Sequence, residues 1–225
     1  MSDLSPIRRV VLMWAAQLGK TEGLLNLIGY SAKLAPGPMM VVQPTVDTAV
    51  NFSKERLVPL FNASPELAKC VLENRSRDGD NTILVKRFRG GFLKVAGANS
   101  AVSLRSTPIR RLLCDEVDGY PLDVDGEGDP LDLAEKRTSN FRRGKVVITS
   151  TPKEKGTSRI EKEFLKSDQR RYFVPCPHCN EYQYLKWAQM KWPEGRPLDA
   201  YYVCEHCQVP IDRQQKRWMI ERGEW

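Results

Sequence analysis

Four short apolar runs along the chain have the composition of buried parallel strands. They are rich in aliphatic residues and occupy residues 9–14, 39–43, 112–116 and 145–151. A helical stripe that includes Leu24, Leu25 and Ile28 follows the first run. Strand, helix and strand in succession form a βαβ unit, whose crossover is nearly always right-handed. The pattern therefore predicts an α/β fold with a mostly parallel sheet and helices on both faces.

The rest of the pattern predicts further helices and one hairpin. Helical spacing indicates four helices, at residues 45–61, 64–73, 130–141 and 158–166. Residues 82–88 and 92–95 alternate around Gly90 and Gly91, as the strands of a β-hairpin do. The small residues of 97–106 favour a loop. Four basic residues on the hairpin form either a solvated strand face or a DNA contact: Lys86, Arg87, Arg89 and Lys94.

The composition becomes aromatic and basic near Asp168, and this change predicts a second domain. We expect a large α/β domain at residues 1–166 and a small module at residues 167–225. Its aromatic residues are predicted to pack the strands of the module, with base stacking as the alternative: Tyr182, Tyr184, Trp187, Trp192, Tyr201 and Tyr202. Residues 212–225 are predicted to form a helix that is truncated by the end of the chain.

Length and charge restrict the class of protein. The 225 residues allow either one large domain or a large domain and a small one. No segment has the apolar length of a membrane span, and the first residues lack the pattern of a signal peptide. We therefore expect a soluble, cytoplasmic protein without a membrane partner. The 35 Lys and Arg residues against 28 Asp and Glu give a net charge of +7, which is consistent with a polyanionic partner.

Gly19, Lys20 and Thr21 follow the first predicted strand and open the first predicted helix. The unpaired N–H groups and the dipole of a helix N-terminus favour an anion, and Lys20 adds a full positive charge. Thr21 can then ligate Mg²⁺. The alternative is an ordinary strand-to-helix turn with a solvated lysine. A complete phosphate-loop pattern has glycine five residues before Gly19, where this chain has Trp14.

A second nucleotide motif comes from the third apolar run, which ends in Asp115 and Glu116. At the carboxyl end of a parallel strand, Asp115 would hold Mg²⁺ and Glu116 would orient or deprotonate the attacking water. The alternative is a strand that simply stops at a charged turn. Together with the first motif, this one indicates a fold of the P-loop NTPase type and a P-loop ATPase domain at residues 1–166. The fourth run ends in Thr149, Ser150 and Thr151, whose hydroxyls either sense the γ-phosphate or form a turn.

Four of the six cysteines form two CxxC pairs, at Cys176, Cys179, Cys204 and Cys207. This spacing is typical of a zinc ribbon. Four thiolates satisfy tetrahedral Zn²⁺ and leave no open position, so we expect a structural site. His178 and His206 lie inside the CxxC pairs and are not expected to be ligands.

The chain resembles the ATPase region of phage terminase large subunits of the GpA type. The most specific segments are AAQLGKTE from Ala15, GANSAVSLRSTPIRRLLCDEVD from Gly97 and VVITSTPKEKGTS from Val146. They are similar to that family's Walker A motif, its Walker B motif with the arginine stretch before it, and its coupling motif. The resemblance covers nearly the whole chain.

The resemblance implies ATP hydrolysis that drives double-stranded DNA into a procapsid. Lys20 and Thr21 would bind the phosphates and Mg²⁺, with Gln17 as part of the phosphate loop. Arg105 falls where related motors carry an arginine that completes a neighbouring subunit's site. The residues that would couple hydrolysis to DNA movement are Thr149, Ser150 and Thr151. The implied partners are DNA, the terminase small subunit and the capsid portal, and the implied assembly is a homo-oligomer.

The chain departs from the family pattern in two places. Many terminases have an arginine just before the glutamine of Walker A, where this chain has Ala16. Family members continue into a nuclease domain, whereas this chain ends at Trp225, so we expect no DNA cutting by it. Two other functions stay open: a helicase-like nucleic-acid NTPase, and a catalytically dead module that binds DNA or a protein partner.

Overall fold

The computed structural model describes residues 5–72, 81–105 and 107–225, which divide into two units. The first unit runs to Ser167 and the second extends from Asp168 to Trp225. The boundary expected from the sequence lay between residues 166 and 167. Within the described residues, no helix has the length and apolar character needed to cross a membrane.

A six-stranded sheet forms the centre of the first unit. Its strands are β1 (Arg9–Met13), β2 (Pro38–Gln43), β3 (Val85–Phe88), β4 (Gly91–Gly97), β5 (Arg111–Asp115) and β6 (Lys145–Ser150). They lie in the order β1-β6-β5-β2-β4-β3. The first five strands of this order are parallel, and β3 pairs antiparallel with β4. The predicted mostly parallel sheet is therefore confirmed, and so is the hairpin.

Eight helices accompany the strands in the described part of the chain. They are α1 (Lys20–Leu34), α2 (Val46–Phe52), α3 (Val58–Ala63), α4 (Pro65–Ala68), α5 (Ala101–Arg105), α6 (Pro130–Glu135), α7 (Arg159–Leu165) and α8 (Lys216–Glu221).

Two apolar cores cover the two faces of the sheet, because neighbouring residues of a strand point to opposite sides. On β5, Leu113 packs in the core that includes Leu24 and Ile28 of α1. Leu112 and Cys114 pack in the other core, with residues of α5, α6 and α7. All three strand residues are fully buried. The helices therefore cover both faces of the sheet, as predicted.

The helix predicted at residues 45–61 is interrupted by a π-helical turn at Ser53–Leu57. It begins with a capping box, in which Thr45 accepts from the Thr48 N–H and Thr48 accepts from the Thr45 N–H. The predicted helix at residues 64–73 is limited to α4, because Val71 leaves helical geometry to pair with Phe88 in an antiparallel bridge. Glu73, its predicted last residue, lies outside the described residues.

Two predictions between β4 and β6 need correction. Residues 97–106 were expected to form a loop, but α5 forms there, because Asp125 accepts from the Ala101 N–H and Leu104 is buried. The helix expected at residues 130–141 is shorter: α6 ends at Glu135 and a 3₁₀ turn follows at Lys136–Thr138.

The basic hairpin is less solvated than a free strand face. Lys86 and Lys94 are half-buried, and each ammonium donates to a backbone carbonyl, that of Thr82 at 2.9 Å and that of Ser103 at 2.8 Å. Burial lowers the pKa of both lysines. Arg87 and Arg89 are exposed.

The second unit contains short strands around a small core. Its strands are β7 (Val174–Pro175), β8 (Tyr182–Gln183), β9 (Met190–Lys191), β10 (Tyr201–Val203) and β11 (Pro210–Ile211). The β7 and β8 strands form one antiparallel pair, and β9, β10 and β11 form a three-stranded sheet. Val174, Ile211, Met219 and two of the cysteines form the core.

The helix predicted at residues 212–225 does form but is shorter, and the end of the chain does not truncate it. The helix α8 ends at Glu221, and Glu224 then forms an antiparallel bridge with Phe173 through two backbone hydrogen bonds. Glycine at position 223 allows the chain to turn back to Phe173, because a Cβ atom there would lie 2.4 Å from the Tyr172 ring.

Most of the aromatic residues expected to pack the second unit are exposed. Trp187 is 78% exposed and Trp192 is 48% exposed. Tyr202 does pack against the small core, together with Tyr172 and Trp218. Strand length explains the difference, because strands of two or three residues have too little surface to cover six large rings.

Candidate nucleotide site and cysteine cluster

Four parallel strands bring the two nucleotide motifs together at one edge of the sheet. In the register of the strands, Met13 lies beside Ser150 and Asp115 lies beside Thr149. Gln43 ends the next strand, β2. The loop before α1, the acidic end of β5 and the hydroxyl end of β6 therefore meet at the carboxyl edge, which is where open α/β sheets bind ligands.

The loop between β1 and α1 reverses direction through two residues with left-handed backbone conformations. Gln17 has φ 58° and Gly19, the N-cap of α1, has φ 83°. A side chain at Gly19 would meet no heavy atom within 4 Å, so the backbone conformation and not crowding favours glycine there. Trp14, at the position where the phosphate-loop pattern has glycine, continues the ladder by donating its N–H to Ser150.

Lys20 lies at the centre of the carboxyl edge. It is the first residue of α1 and is only 5% exposed. Its ammonium donates to the Thr151 hydroxyl at 2.7 Å and to the Ala15 carbonyl at 3.2 Å. It also lies 3.5 Å from the Glu116 carboxylate. The structure therefore places the lysine against both downstream motifs.

Asp115 is buried beside Lys20 and Thr21. Its Oδ2 accepts from the Thr21 hydroxyl at 3.1 Å and from the Gln43 amide at 3.3 Å. Burial raises the pKa of this carboxyl, although the two hydrogen bonds oppose the rise. Its other oxygen, Oδ1, is buried without a hydrogen-bond partner among the described residues. Thr21 and Asp115 thus present two oxygens of the kind that Mg²⁺ prefers.

Sequence reasoning missed Gln43. The available signal was a polar residue at the end of an apolar run of sequence. The same signal did identify Thr149 and Ser150. What the sequence lacked was the strand order that places β2 beside β5.

Glu116 follows β5 in a left-handed conformation, with φ 50°. This conformation turns its partly exposed carboxylate out of the strand, where Oε1 faces Lys20 and Oε2 accepts from the Ser150 hydroxyl at 3.4 Å. Because Asp115 stays buried beside Thr21, the two adjacent carboxylates have different surroundings.

Asp118 is a second residue that sequence reasoning missed. It accepts from the backbone N–H groups of Lys153, at 2.9 Å, and Ile160, at 2.7 Å. Burial alone would raise its pKa, but these hydrogen bonds lower it on balance. Asp118 therefore fixes the loop after β6 and the start of α7 to the loop after β5.

The hydroxyls at the end of β6 have unequal surroundings. Thr151 accepts from Lys20, and Ser150 contacts Glu116 and accepts from the Asp118 N–H at 3.2 Å. Thr149 is fully buried, and its hydroxyl has no hydrogen-bond partner among the described residues.

Arg105 does not join the cluster of Lys20, Thr21, Asp115 and Glu116. It ends α5, is about half exposed, and its guanidinium pairs with Glu127 at 2.8 Å. Its backbone carbonyl accepts from Arg137 at 3.2 Å. Gln17 is exposed in the loop before α1.

The four cysteines of the two CxxC pairs form one cluster in the second unit. Their sulfurs all lie within 4.8 Å of one another, and the Cys176–Cys207 and Cys179–Cys204 sulfur pairs are each 3.8 Å apart. Corners of a tetrahedron about 2.3 Å from a central ion are about 3.8 Å apart, so the cluster fits zinc.

Backbone N–H groups surround two of the sulfurs. His178 and His206 donate through their backbone N–H groups to Cys176 and Cys204, at 3.4 Å each. Burial opposes ionisation of Cys204, but N–H groups lower its pKa to about 6 on balance. The imidazoles are exposed, and that of His178 contacts the Pro210 carbonyl. Neither histidine belongs to the potential metal-ligand cluster found among the described residues.

The fold is similar to two solved terminase structures. The Thermus phage P74-26 large terminase ATPase domain matches with a TM-score of 0.54 and 18% identity, over 81% of this chain and 74% of that one. The HK97 bacteriophage large terminase matches with a TM-score of 0.56 and 12% identity, over 73% of this chain and 34% of that one. At these identities the likeness concerns the fold alone.

Two phage relatives have a higher sequence identity to the chain than these two structures have. The terminase large subunit of Enterobacteria phage P21 is 33% identical over 234 residues, and that of Escherichia phage lambda is 30% identical over 233. Each alignment covers 97% of this chain but 36% of the relative, so the chain spans about a third of their length. The family model described as "Phage terminase large subunit gpA, ATPase domain" matches residues 1–225, and the chain therefore belongs to this family.

Proposed function

We propose that this chain is the ATPase domain of a phage DNA-packaging motor, which hydrolyses ATP to move double-stranded DNA into a procapsid. The observation that carries the proposal is the contact of Lys20 with Glu116 and of Thr21 with Asp115, at one edge of a parallel sheet. The match of the whole chain to the terminase ATPase family supports it.

In the proposed reaction, Lys20 binds the β- and γ-phosphates at the start of α1. Thr21 and Asp115 would hold Mg²⁺, which neutralises charge on the phosphates. Glu116 orients the attacking water and accepts its proton as the water oxygen bonds to the γ-phosphorus. The bond between that phosphorus and the bridging oxygen breaks at the same time, so that ADP leaves and phosphate is formed. Catalysis is then mostly a matter of position and charge. Lys20 must exchange its contact with Thr151 for the phosphate, and this exchange gives the end of β6 a means to sense nucleotide.

The other site residues take the roles that the family resemblance implies. Gln17 forms part of the phosphate loop. Thr149, Ser150 and Thr151 couple hydrolysis to DNA movement. Arg105 completes the site of a neighbouring subunit in a homo-oligomer, and its partly exposed ion pair with Glu127 costs little to exchange. The terminase small subunit and the portal are the proposed protein partners.

Replacement of Glu116 by Gln tests the proposal. We expect nucleotide binding to persist while turnover falls by about 10²–10⁴-fold, since the general base is lost. Fluorescent-nucleotide binding and phosphate release measure the two effects. Glu55→Gln, at an exposed glutamate on the π-helical turn, is the matched control. Hydrolysis at the parent rate by Glu116→Gln would remove Glu116 from the mechanism.

The same assays separate the two alternative functions. A helicase-like NTPase would separate the strands of a fluorescent duplex, whereas a packaging motor moves along it without unwinding. A dead module would bind no ATP while it retains salt-dependent DNA binding. Either result would overturn the proposal.

We also propose that Cys176, Cys179, Cys204 and Cys207 hold one structural Zn²⁺. The sulfur separations support this choice. We expect one zinc per chain by elemental analysis, and its loss in Cys204→Ser but not in Cys70→Ser, a cysteine outside the cluster. Four of the five tryptophans lie in the second unit, so their fluorescence reports its unfolding on chelation. Unchanged fluorescence in a metal-free chain would contradict a structural role.

A further inference from the structure

The amino edge of the sheet, opposite the nucleotide site, is strongly basic. Parallel strands begin at the same edge, and the register aligns Arg9 with Val146 and Arg111 with both Lys145 and Met39. The segments that enter these strands therefore lie side by side. Their sequences contain few acids: residues 136–145 include five Lys or Arg and no Asp or Glu, and residues 105–111 include three Arg and no acid.

Six cations in the segments that enter β1, β4, β5 and β6 form a surface that we call the basic edge. Five are exposed and Arg110 is half-buried. The members of the basic edge are Arg8, Arg89, Arg110, Lys136, Arg142 and Arg143.

The backbone of the basic edge is continuous across four strands. The Val146 N–H donates to the Arg8 carbonyl at 2.8 Å, and the Lys145 N–H donates to the Arg110 carbonyl at 2.8 Å. The Arg110 N–H in turn donates to Pro38 at 2.9 Å. Strands about 4.8 Å apart place the cations over roughly 14 Å. Duplex DNA carries one charge per about 1.7 Å of its axis, so this length faces several phosphates.

Nearby acids do not pair with four of the six cations of the basic edge in the part of the chain that the structure describes. Glu135 and Glu163 both pair with Arg9, and Glu163 also pairs with Lys166. Arg8, Lys136, Arg142 and Arg143 have no ion-pair partner among residues 5–72, 81–105 and 107–225. Uncompensated exposed cations in a row are the arrangement that binds a polyanion by release of its counterions.

We propose that the basic edge, which lies at the opposite edge of the sheet from the nucleotide site, binds the phosphate backbone of double-stranded DNA. The choice of DNA as the polyanion rests on the proposed function. The contacts are to phosphates and carry no sequence information, because the edge consists of loop and strand-end cations.

One helix connects the basic edge to the nucleotide site. The start of α7 is fixed by Asp118, which also binds the Lys153 N–H just beyond Thr151. Further along α7, Glu163 pairs with Arg9 at the first residue of β1. A rearrangement around Thr151 therefore has a direct structural route to the DNA surface, through a single short helix.

The test removes two charges from the basic edge and measures DNA affinity against salt. We expect Arg142→Gln/Arg143→Gln to lower the slope of log affinity against log salt by about 2. The loss of affinity should be equal for two duplexes of unrelated sequence. The control Lys54→Gln/Lys191→Gln also removes two exposed cations that have no ion-pair partner among the described residues, and it should keep the parent slope.

Three outcomes would overturn the proposal. An equal loss in the control would mean that overall charge and not the basic edge binds DNA. A parent slope in Arg142→Gln/Arg143→Gln would place the DNA elsewhere. Competition by poly-glutamate as strong as that by duplex would point to an acidic protein as the occupant.

Hydrolysis without DNA separates this proposal from the ATPase proposal. Arg142→Gln/Arg143→Gln should hydrolyse ATP at the parent rate in the absence of DNA. If the parent chain binds DNA through the basic edge but does not hydrolyse ATP, the ATPase proposal fails and the basic edge stands.

Discussion

The two edges of the parallel sheet each bury a lysine, and the two lysines have opposite surroundings. Lys20 at the carboxyl edge is 5% exposed, and Lys145 at the amino edge is 2% exposed. The ammonium of Lys20 contacts a hydroxyl, a carbonyl and the Glu116 carboxylate. That of Lys145 donates to two backbone carbonyls, those of Ser5 and Ile7, at 2.6 Å each.

Under the proposed function, this difference separates chemistry from structure within one sheet. Lys20 begins a helix whose exposed N–H groups favour a phosphate, so its present contacts are exchangeable. Lys145 is the first residue of β6, and its ammonium holds the segment before β1 through two backbone carbonyls of that segment. Burial of a lysine is therefore not by itself a sign of function, whereas the chemistry of its partners is.

Among the variants that compare the two edges, the largest effect should come from Lys20→Ala. We expect turnover to fall by about 10²–10³-fold or more, because the charge that stabilises the transferring phosphoryl group is lost. Phosphate release at saturating ATP measures it. Lys33→Ala on the same helix is the control, since its ion pair with Glu66 is exposed. Equal activity in the two variants would mean that Lys20 has the structural role of Lys145.

A smaller effect is expected from Gln43→Met, which removes the amide that holds Asp115. Gln43 is a positioning residue in this proposal, because it acts through Asp115. Outer partners of metal ligands contribute about 10–100-fold in affinity or activity. We expect the Mg²⁺ concentration for half-maximal turnover to rise within that range, while nucleotide binding without Mg²⁺ is unchanged. Gln214→Met, at an exposed glutamine, serves as control, and an equal Mg²⁺ requirement in both variants would exclude the role.

The carboxyl edge was largely predictable from the sequence. Apolar runs marked the strands, and parallel strands must end at a common edge, so Lys20, Thr21, Asp115 and Glu116 were expected to meet. Gln43 and Asp118 were not expected, because their roles depend on strand order and on the turn after β5.

The amino edge and the second unit were less predictable. Exposed arginines in separate loops form no motif until the register aligns the strands. Trp187 was expected to be packed because large apolar residues usually are, but no large sheet is present in the second unit to cover it. The helix α4 ends early because Val71 pairs with β3, a long-range contact that local propensity does not encode.

Lys145→Met tests the amino edge. The variant keeps the volume of the side chain but leaves the Ser5 and Ile7 carbonyls without this donor. We expect the free energy of unfolding to fall by about 1–2 kcal/mol in urea titrations. Hydrolysis should be unchanged, because Lys145 lies at the amino edge of the sheet and Lys20 lies at the carboxyl edge. A loss of turnover at full stability would show that the two edges do not separate chemistry from structure.

The smallest effect is expected from Thr149→Val, and it sharpens the comparison within the carboxyl edge itself. The two side chains have nearly equal volume, and the Thr149 hydroxyl has no hydrogen-bond partner among the described residues. We therefore expect the free energy of unfolding to change by less than about 1 kcal/mol. Ser150→Ala should cost more, about 1–3 kcal/mol, because the Asp118 N–H would lose its acceptor.

Urea titrations of the two variants decide between these hydroxyls, which the sequence presents as equal neighbours. Thr149 and Ser150 point to opposite faces of β6, because adjacent strand residues alternate. If Thr149→Val is the more destabilising of the two, then its hydroxyl has a partner that the described residues do not supply. If Ser150→Ala is the more destabilising variant, then the hydrogen bonds that join Glu116, Ser150, Asp118 and the start of α7 contribute to the stability of this edge.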